Sequence, residues 1–416
     1  MKTKALDILM IAAVSVAASP AGAEPLTKHE QAPQKTVHSQ KAWVVQNCSV
    51  ELAVTQLGGH MAPVTFYRDT AQPIAPYYIS PWQDESLELE VPVLVPLRGD
   101  FFCMPFGGNG AEYEGEKHPP HGETAGSKWS HKSFGRQGKV TRLVLELETK
   151  ARKGQVLKEL SLVDGQNVVY TQHTIKGFIG KTPLGHHATL AMPENDGEFR
   201  IATSPIQFGL TNPTQFSNPE NGEYQSFQIN HRFDSLTKVA LVHKGTPDAD
   251  VTKLPARRGY ADLLMLVSQP ADQLDGPAWT TATNQKQGFL WFSLKDPTVL
   301  PATVFWLENH GRHGVPWKGR NNCLGLEEVC AYFADGLVPS VSKNPLSELG
   351  VKTAVTLSPG QATQVRTIQG VVKIPTNFEM VKTLEFSAGQ LTFVSTTGKK
   401  VTVPVHHEFI RSGMIR

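Results

Sequence analysis

The sequence has little net charge, few charged residues and no long apolar segment beyond its N-terminus. Its 416 residues include 40 Lys and Arg against 38 Asp and Glu, which gives a net charge of +2. Nucleic-acid binding requires a basic face, so this balance gives that class of partner no support. Only 19% of residues are charged, whereas 35 are Gly and 29 are Pro. This composition argues against helical bundles, coiled coils and disordered tails, and favours strands joined by turns.

Cysteine is also scarce, with Cys48, Cys103, Cys323 and Cys330 in the whole chain. None of them forms a C-x-x-C pair, which argues against a zinc ribbon or a thioredoxin-like redox site. Cys323 and Cys330 are close enough in sequence for a local disulfide. Two disulfides and four buried free thiols remain equal alternatives at this point.

The N-terminus has the pattern of a secretory signal. Lys2 and Lys4 precede an apolar run from Ile8 to Ala18, and Ala21-Gly22-Ala23 gives an A-x-A cleavage site. The run is too short for a transmembrane helix. We therefore predict a signal peptide over 1–23 and a periplasmic or secreted protein with no membrane contact after cleavage. An uncleaved membrane anchor is the alternative.

Strand patterns recur along the rest of the chain, and helical patterns are few. Val140 to Glu148 alternates apolar and polar residues, and Asp164-Gly165-Gln166-Asn167 separates two further strand-like runs, as in a hairpin. No composition break marks a second domain. We predict a flexible lead-in over 24–40 and one all-β domain of packed antiparallel sheets over 41–416.

Polar loops between these strands are unusually rich in histidine. The chain has 15 His, and several fall in short clusters with Gly, Arg or Glu. A rigid sheet often presents such loops to one pocket. The clustered histidines are His60, His118, His121, His131, His186, His187, His310 and His313.

Over about residues 45–400, these clusters resemble the galactose mutarotase-like family, which includes the aldose 1-epimerases. The resemblance implies a large antiparallel β-supersandwich that binds a sugar or a glycan end. The segments that carry it, in the family's order, are Gly58-Gly59-His60, Pro105 to Asn109, His121-Gly122 with Trp129, His186-His187-Ala188-Thr189 and Leu326-Glu327.

The same resemblance implies that Glu327 is the catalytic base and His187 the catalytic acid, without a metal or other cofactor. Where the family has an arginine after its asparagine, this chain has Gly110, so another cation, Arg98 or Arg320, is expected to bind sugar hydroxyls. The remaining expected substrate contacts are Asn109, His121, Trp129 and His186.

The reaction implied is interconversion of sugar anomers, which needs one proton acceptor and one proton donor at the anomeric centre. A non-catalytic carbohydrate-binding protein of the same fold is the main alternative. A second is a metal site formed by His118, His121, His131 and Glu123, since imidazole and carboxylate suit zinc or iron. A third, glycan hydrolysis, is disfavoured because the one adjacent carboxylate pair, Glu327 and Glu328, would point to opposite faces of a strand.

Overall fold

The computed structural model describes residues 31–415. The predicted signal peptide lies outside the described residues, as does the part of the predicted lead-in before residue 31. The prediction of a flexible lead-in is wrong for the described part, because Gln34–Val37 forms a strand that pairs antiparallel with the next strand, Gln40–Gln46. Backbone hydrogen bonds between the two strands order this segment, although its polar composition gives no sign of a strand.

The described residues are mostly β-strand, as predicted. The first strands are β1 (Gln34–Val37), β2 (Gln40–Gln46), β3 (Val50–Thr55), β4 (Met61–Phe66), β5 (Phe102–Cys103), β6 (Ser130–Gln137), β7 (Val140–Thr149), β8 (Gly154–Val163), β9 (Val168–Lys176), β10 (Gly180–Thr182), β11 (Leu184–His186), β12 (Ala188–Ala191) and β13 (Phe199–Thr203). The others are β14 (Ile206–Thr211), β15 (Arg232–Phe233), β16 (Lys253–Leu254), β17 (Tyr260–Ser268), β18 (Ala278–Asn284), β19 (Phe289–Lys295), β20 (Ala302–Asn309), β21 (Asn322–Cys330), β22 (Val355–Leu357), β23 (Thr363–Lys373), β24 (Val381–Ser387), β25 (Gln390–Ser395) and β26 (Lys400–Pro404).

Helices are short in the described part of the chain. They are α1 (Gly122–Gly126), α2 (Leu337–Val341), α3 (Pro345–Glu348) and α4 (Phe409–Ser412), with single 3-10 turns at Pro92–Leu94, Pro219–Asn221 and Ala271–Gln273. Within residues 31–415, no helix has both the length and the apolar character needed to cross a bilayer.

Two large sheets form the centre of the fold. An eight-stranded sheet has the order β15-β14-β17-β20-β21-β11-β5, with β12 also paired to β21, and a nine-stranded sheet has the order β16-β13-β18-β19-β23-β9-β8-β7-β6. The predicted hairpin is confirmed as the antiparallel pair β8 and β9. Smaller sheets consist of β1–β4, of β10 with β22, and of β24–β26.

The core lies between the two large sheets because their facing positions are apolar. Leu326 and Phe305 from the eight-stranded sheet join one buried cluster with Leu145 and Trp291 from the nine-stranded sheet. A second apolar cluster covers the other, outer face of the eight-stranded sheet, where Trp306 of β20 packs with Phe101. The sheet is therefore covered on both faces, and this outer cluster surrounds the candidate site.

Strand β21 shows how alternation divides polar side chains between the two faces. Leu324 and Leu326 face the inter-sheet core, whereas Cys323 and Val329 belong to the outer cluster. Glu328 faces inward, where Lys295 of β19 lies 2.6 Å from its carboxylate, and both side chains are buried. Glu327 accordingly faces outward, so the prediction that these two carboxylates diverge agrees with the structure.

All four cysteines are free thiols. Cys323 and Cys330 stand at opposite ends of the extended strand β21. Seven residues of strand span roughly 23 Å, far beyond the reach of a disulfide. The extended conformation of β21 therefore excludes a disulfide between Cys323 and Cys330.

Candidate functional site

A cavity of about 180 Å³ opens on the outer face of the eight-stranded sheet. Four polar side chains line it, His121, His187, Arg312 and Glu327, and they come from widely separated parts of the chain. The rest of its lining is largely aliphatic and aromatic. The structure thus brings the two predicted catalytic residues and His121 to one place.

His187 and Glu327 are in direct contact within this lining. Nε2 of His187 lies 3.1 Å from Oε1 of Glu327, and the side chains are 7% and 2% exposed. Nδ1 of the same imidazole lies 3.1 Å from the hydroxyl oxygen of Thr189, and its ring stacks on Phe101 with 4.5 Å between centroids. Both imidazole nitrogens therefore have a polar contact, and one face of the ring packs against Phe101.

Burial controls the protonation of this pair. Desolvation raises the pKa of Glu327 well above its ordinary value and lowers the pKa of His187 well below its ordinary value, with the nearby His121 lowering the latter further. Both effects favour the neutral forms. With both groups neutral, the contact is a hydrogen bond from the Glu327 carboxyl to Nε2 of His187, and Nδ1–H of His187 donates to the hydroxyl of Thr189.

His121 stands beside the pair at the start of helix α1. Its backbone has a left-handed conformation, with φ of 59°, and Gly122 follows it. Its ring centroid is 5.1 Å from that of His187. Burial lowers the pKa of His121 to about 4. Nδ1 of His121 is buried and has no hydrogen-bond partner among the described residues, so this imidazole stays neutral near pH 7 with unused polar capacity.

Gly325 makes room for the Glu327 carboxylate. The two residues are two positions apart in β21 and therefore share its outer face. A Cβ atom at position 325 would lie 2.5 Å from Oε1 of Glu327 and 3.0 Å from Cβ of Trp306. The absence of a side chain at this position therefore determines where the carboxylate lies.

Arg312 lines the cavity as its cation. The sequence predicts Arg98 or Arg320 as the cation that binds sugar hydroxyls. The guanidinium of Arg312 lies near the rings of Phe216, Trp317 and Trp306, at 4.8, 5.1 and 5.8 Å from the ring centroids. Its two terminal nitrogens have no hydrogen-bond partner within residues 31–415. The signal in the sequence was the His310-Gly311-Arg312-His313 loop, which offered no reason to prefer this arginine over the other two.

Glu308 contacts both the backbone and the side chain of Arg312. Oε1 of Glu308 accepts the backbone N–H groups of Gly311 and Arg312 at 3.0 and 3.2 Å, and its Oε2 lies 3.5 Å from Nε of Arg312. Burial raises the pKa of Glu308 to about 7, although the arginine charge and the two N–H groups oppose that rise. Glu223 adds a weaker contact, 3.9 Å from the same Nε.

The structure does not place Arg98 or Arg320, the predicted sugar-binding cations, at the cavity. Arg98 is fully buried, and its guanidinium donates to the carbonyl oxygens of Pro96, Val37 and His38 and to Gln83. This arginine ties the first strands to the chain that precedes β5. Arg320 forms an ion pair with Glu85 and does not line the cavity.

Asn109 and Trp129, two predicted substrate contacts, do not line the cavity and form hydrogen bonds within the protein. The Asn109 amide donates to three backbone carbonyls, and its Oδ1 accepts the N–H of Leu337 at 2.8 Å, which leaves no group free for a sugar. Trp129 is 1% exposed and donates from Nε1 to the carbonyl of Thr124 at 3.0 Å. Lys128 and Ser130 on either side of Trp129 are exposed, whereas the indole between them is buried.

His186, another predicted substrate contact, lies away from the cavity for a geometric reason. His186 and His187 are consecutive, and they face opposite sides of the eight-stranded sheet. His186 is fully buried toward the inter-sheet core, with Nδ1 2.9 Å from Oδ2 of Asp100 and Nε2 3.4 Å from the hydroxyl of Thr367. It therefore cannot reach a ligand in the cavity.

The residues of the alternative metal site are engaged separately. His118 contacts Glu116 at 3.0 Å, His131 accepts the backbone N–H of Ala32 at 3.3 Å, and Glu123 accepts the N–H groups that follow β7. Among residues 31–415, no three His, Cys, Asp or Glu side chains are grouped so that they could hold one ion.

No family model matches the sequence, and no curated protein is significantly similar to it. Solved structures do match its fold. A galactose mutarotase-like protein from Clostridium acetobutylicum is 12% identical, with a TM-score of 0.54 over 82% of this chain and 98% of that one. A galactose mutarotase-related enzyme from Lactobacillus acidophilus is 13% identical, with a TM-score of 0.50 over 81% and 98%. A candidate aldose 1-epimerase from Klebsiella pneumoniae is 13% identical, with a TM-score of 0.56 over 82% and 83%.

These identities are too low to carry residue roles from one protein to the other. The shared architecture nevertheless extends over nearly the full length of two of the three proteins. The predicted fold class is therefore confirmed: this chain has the galactose mutarotase-like β-supersandwich fold.

Proposed function

We propose that the protein is an aldose 1-epimerase-like isomerase that interconverts the anomers of a reducing sugar. The observation that carries the proposal is the contact between His187 and Glu327 in a cavity that His121 also lines. The galactose mutarotase-like fold supports a sugar as ligand. Neighbours of this fold whose names refer to mutarotation or epimerisation support the reaction type.

The reaction needs a proton acceptor and a proton donor on either side of the anomeric carbon. Glu327 takes the proton of the anomeric hydroxyl, His187 gives a proton to the ring oxygen, and the bond between the anomeric carbon and the ring oxygen breaks. Rotation of the resulting aldehyde, followed by the reverse transfers, gives the other anomer. The donated proton first moves from the Glu327 carboxyl to Nε2 of His187 along their 3.1 Å contact. The sugar then separates the two side chains, so that Nε2 of His187 faces the ring oxygen and the Glu327 carboxylate faces the anomeric hydroxyl.

Two further parts of the cavity suit a sugar ring. Arg312 lines the cavity, and a guanidinium binds adjacent oxygens with two parallel hydrogen bonds. The rings of Trp306 and Trp317 offer apolar surface for the C–H face of the sugar. In this proposal Arg312 takes the hydroxyl-binding role expected of Arg98 or Arg320.

The test is anomer exchange, followed by polarimetry from freshly dissolved α-galactose and α-glucose. We expect Glu327→Gln and His187→Ala each to lower the exchange rate by about a hundredfold or more. Glu112→Gln, which changes an exposed carboxylate, is the matched control and keeps the wild-type rate. Wild-type rates in both site variants, with folding verified by circular dichroism, would refute the assignment.

A non-catalytic carbohydrate-binding protein is the second candidate. The near-complete burial of the pair favours it, because His187 and Glu327 satisfy each other without a ligand. Calorimetric titration with the same sugars, measured beside polarimetry, separates the two. Saturable binding without faster exchange supports the binding protein, and faster exchange supports the isomerase.

Export is part of this proposal and rests on the sequence pattern of residues 1–23. Expression of the full chain in a bacterial host, followed by N-terminal sequencing of the exported protein, tests it. We expect the mature chain to begin at about Glu24. A protein that keeps Met1 and stays in the cytoplasm would contradict this part without affecting the proposed reaction.

A further inference from the structure

We propose that the preferred ligand is a deoxy aldose in which a methyl group replaces the terminal hydroxymethyl group. This inference rests on the proposed function and narrows its substrate class. It is drawn from the chemistry of the cavity wall, which combines a few polar side chains with a segment of aliphatic side chains.

The hydrocarbon side of the cavity is formed by Val91, Val93, Leu94 and Leu97, with Leu263 from β17. This segment is fixed, because Nε1 of Trp82 donates to the carbonyl of Leu94 and Nε2 of Gln83 to that of Val95, both at 2.8 Å. The aliphatic wall is therefore a built surface of the cavity.

The polar side is small by comparison. Besides Glu327 and His187, which serve the anomeric hydroxyl and the ring oxygen, the side chains with polar capacity are His121, Arg312 and Trp306, whose indole N–H has no hydrogen-bond partner among the described residues. An ordinary aldohexose carries an oxygen on every carbon, and a hydroxyl turned toward the aliphatic segment would find no side-chain hydrogen-bond partner there. Burying a hydroxyl without a partner is costly, whereas a methyl group against Leu and Val is stabilised.

The cavity volume agrees with a compact, partly apolar ligand. About 180 Å³ is below the range of roughly 300–1,000 Å³ typical of pockets for drug-sized ligands. A single monosaccharide ring suits this space better than an extended glycan. A methyl terminus is also smaller than the hydroxymethyl it replaces and needs no hydrogen-bond partner.

The test compares sugars that differ by one hydroxyl: D-fucose against D-galactose, and quinovose against glucose. For each pair, both the anomer-exchange kcat/KM and the calorimetric affinity are measured with the wild-type protein. We expect the deoxy sugar to be favoured about tenfold, the cost of burying one unpaired hydroxyl. Equal values within each pair, or a preference for the hydroxylated sugar, would overturn the inference.

The combined measurement distinguishes this inference from the proposed function. Exchange of both members of a pair at equal efficiency leaves the isomerase standing and refutes the deoxy preference. Tighter binding of the deoxy sugar without exchange refutes catalysis and keeps the ligand class. Neither binding nor exchange with any of the four sugars refutes both.

Val91→Thr provides a near-isosteric test of the wall, because it exchanges a methyl group for a hydroxyl at the cavity. We expect the deoxy preference to fall about threefold or more, since the sugar hydroxyl then gains a hydrogen-bond partner. Val95→Thr is the matched control: it lies in the same segment with similar partial burial but does not line the cavity, and it keeps the wild-type preference. An equal change in both variants would contradict a specific role for this wall.

Discussion

Gly325→Ala tests whether the position of one carboxylate controls the proposed reaction. The new methyl carbon would lie 2.5 Å from Oε1 of Glu327, and ordinary contact begins near 3.4 Å, so the carboxylate must move by about 0.9 Å. Such a shift breaks its 3.1 Å contact with His187. Misplacement of a catalytic group by about 1 Å can cost on the order of a hundredfold in rate, and we expect a loss of that size.

The fold should survive this change. Gly325 does not have a positive φ, and alanine in a strand is more stable than glycine by roughly 0.5–1 kcal/mol, which offsets the tight approach to Trp306. We therefore expect a melting temperature close to that of the wild type. Gly110→Ala, at a position with open space around it, is the control and keeps full activity.

A double-mutant cycle makes the reasoning refutable. If Gly325→Ala acts only through Glu327, it has no further effect on rate in the Glu327→Gln background. Anomer exchange is followed by polarimetry for the wild type, both single variants and the double variant. A wild-type rate for Gly325→Ala, or an equally large loss in both backgrounds, would refute the positioning role.

Three other predictions follow from the same site. Burial raises the pKa of Glu327 in the folded state. The stability that this carboxyl contributes therefore falls as pH rises from its unfolded pKa of about 4.3 toward its folded pKa. Glu327→Gln should raise Tm by about 1 °C or more at pH 7, and calorimetry should show that this gain vanishes near pH 4. Because burial lowers the pKa of His121 to about 4 and also lowers that of His187, kcat/KM should decline on the acid side only toward pH 4, and a loss of kcat/KM as pH falls through 6.5 would contradict the buried neutral imidazoles. A loss as pH rises would instead report deprotonation of Glu327, whose pKa burial raises. Arg312→Met should lower kcat/KM by about tenfold or more through loss of charged hydrogen bonds to the sugar, with partial retention in Arg312→Lys, and an unchanged value would remove Arg312 from the binding site.

Much of the architecture was accessible from the sequence because alternation of apolar and polar residues reports directly on strands. The hairpin of β8 and β9 has both a strand-like pattern and a turn sequence, which is why the sequence predicts it. By contrast, β1 is a short, polar strand whose existence depends on pairing with β2. Amino-acid composition alone does not indicate such a strand at the edge of a sheet.

The candidate site was only partly accessible, because a motif shows which residues are near each other in the chain and not which way they face. His187 and Glu327 face the cavity, whereas their neighbours His186 and Glu328 face the inter-sheet core with Asp100 and Lys295 as partners. Those buried partners lie far away in the sequence. Their presence could not be inferred from the local pattern.

The aromatic and cationic groups of the site illustrate the same limit. Trp306 lies in a strand, β20, whose residues are all buried, so nothing in its sequence separated it from the core. Trp129 has polar neighbours and is nevertheless buried. Arg312 became distinguishable only once its terminal nitrogens were found without partners beside the cavity.

The placement of Glu327 inside a central strand has a consequence for how the site responds to denaturation. β21 is hydrogen-bonded to β20 on one side and to β11 and β12 on the other, and both of its faces are covered. Backbone amides in such a strand exchange with deuterium only when the whole sheet opens. Activity and global structure should consequently disappear at the same urea concentration, with no inactive but folded species between them.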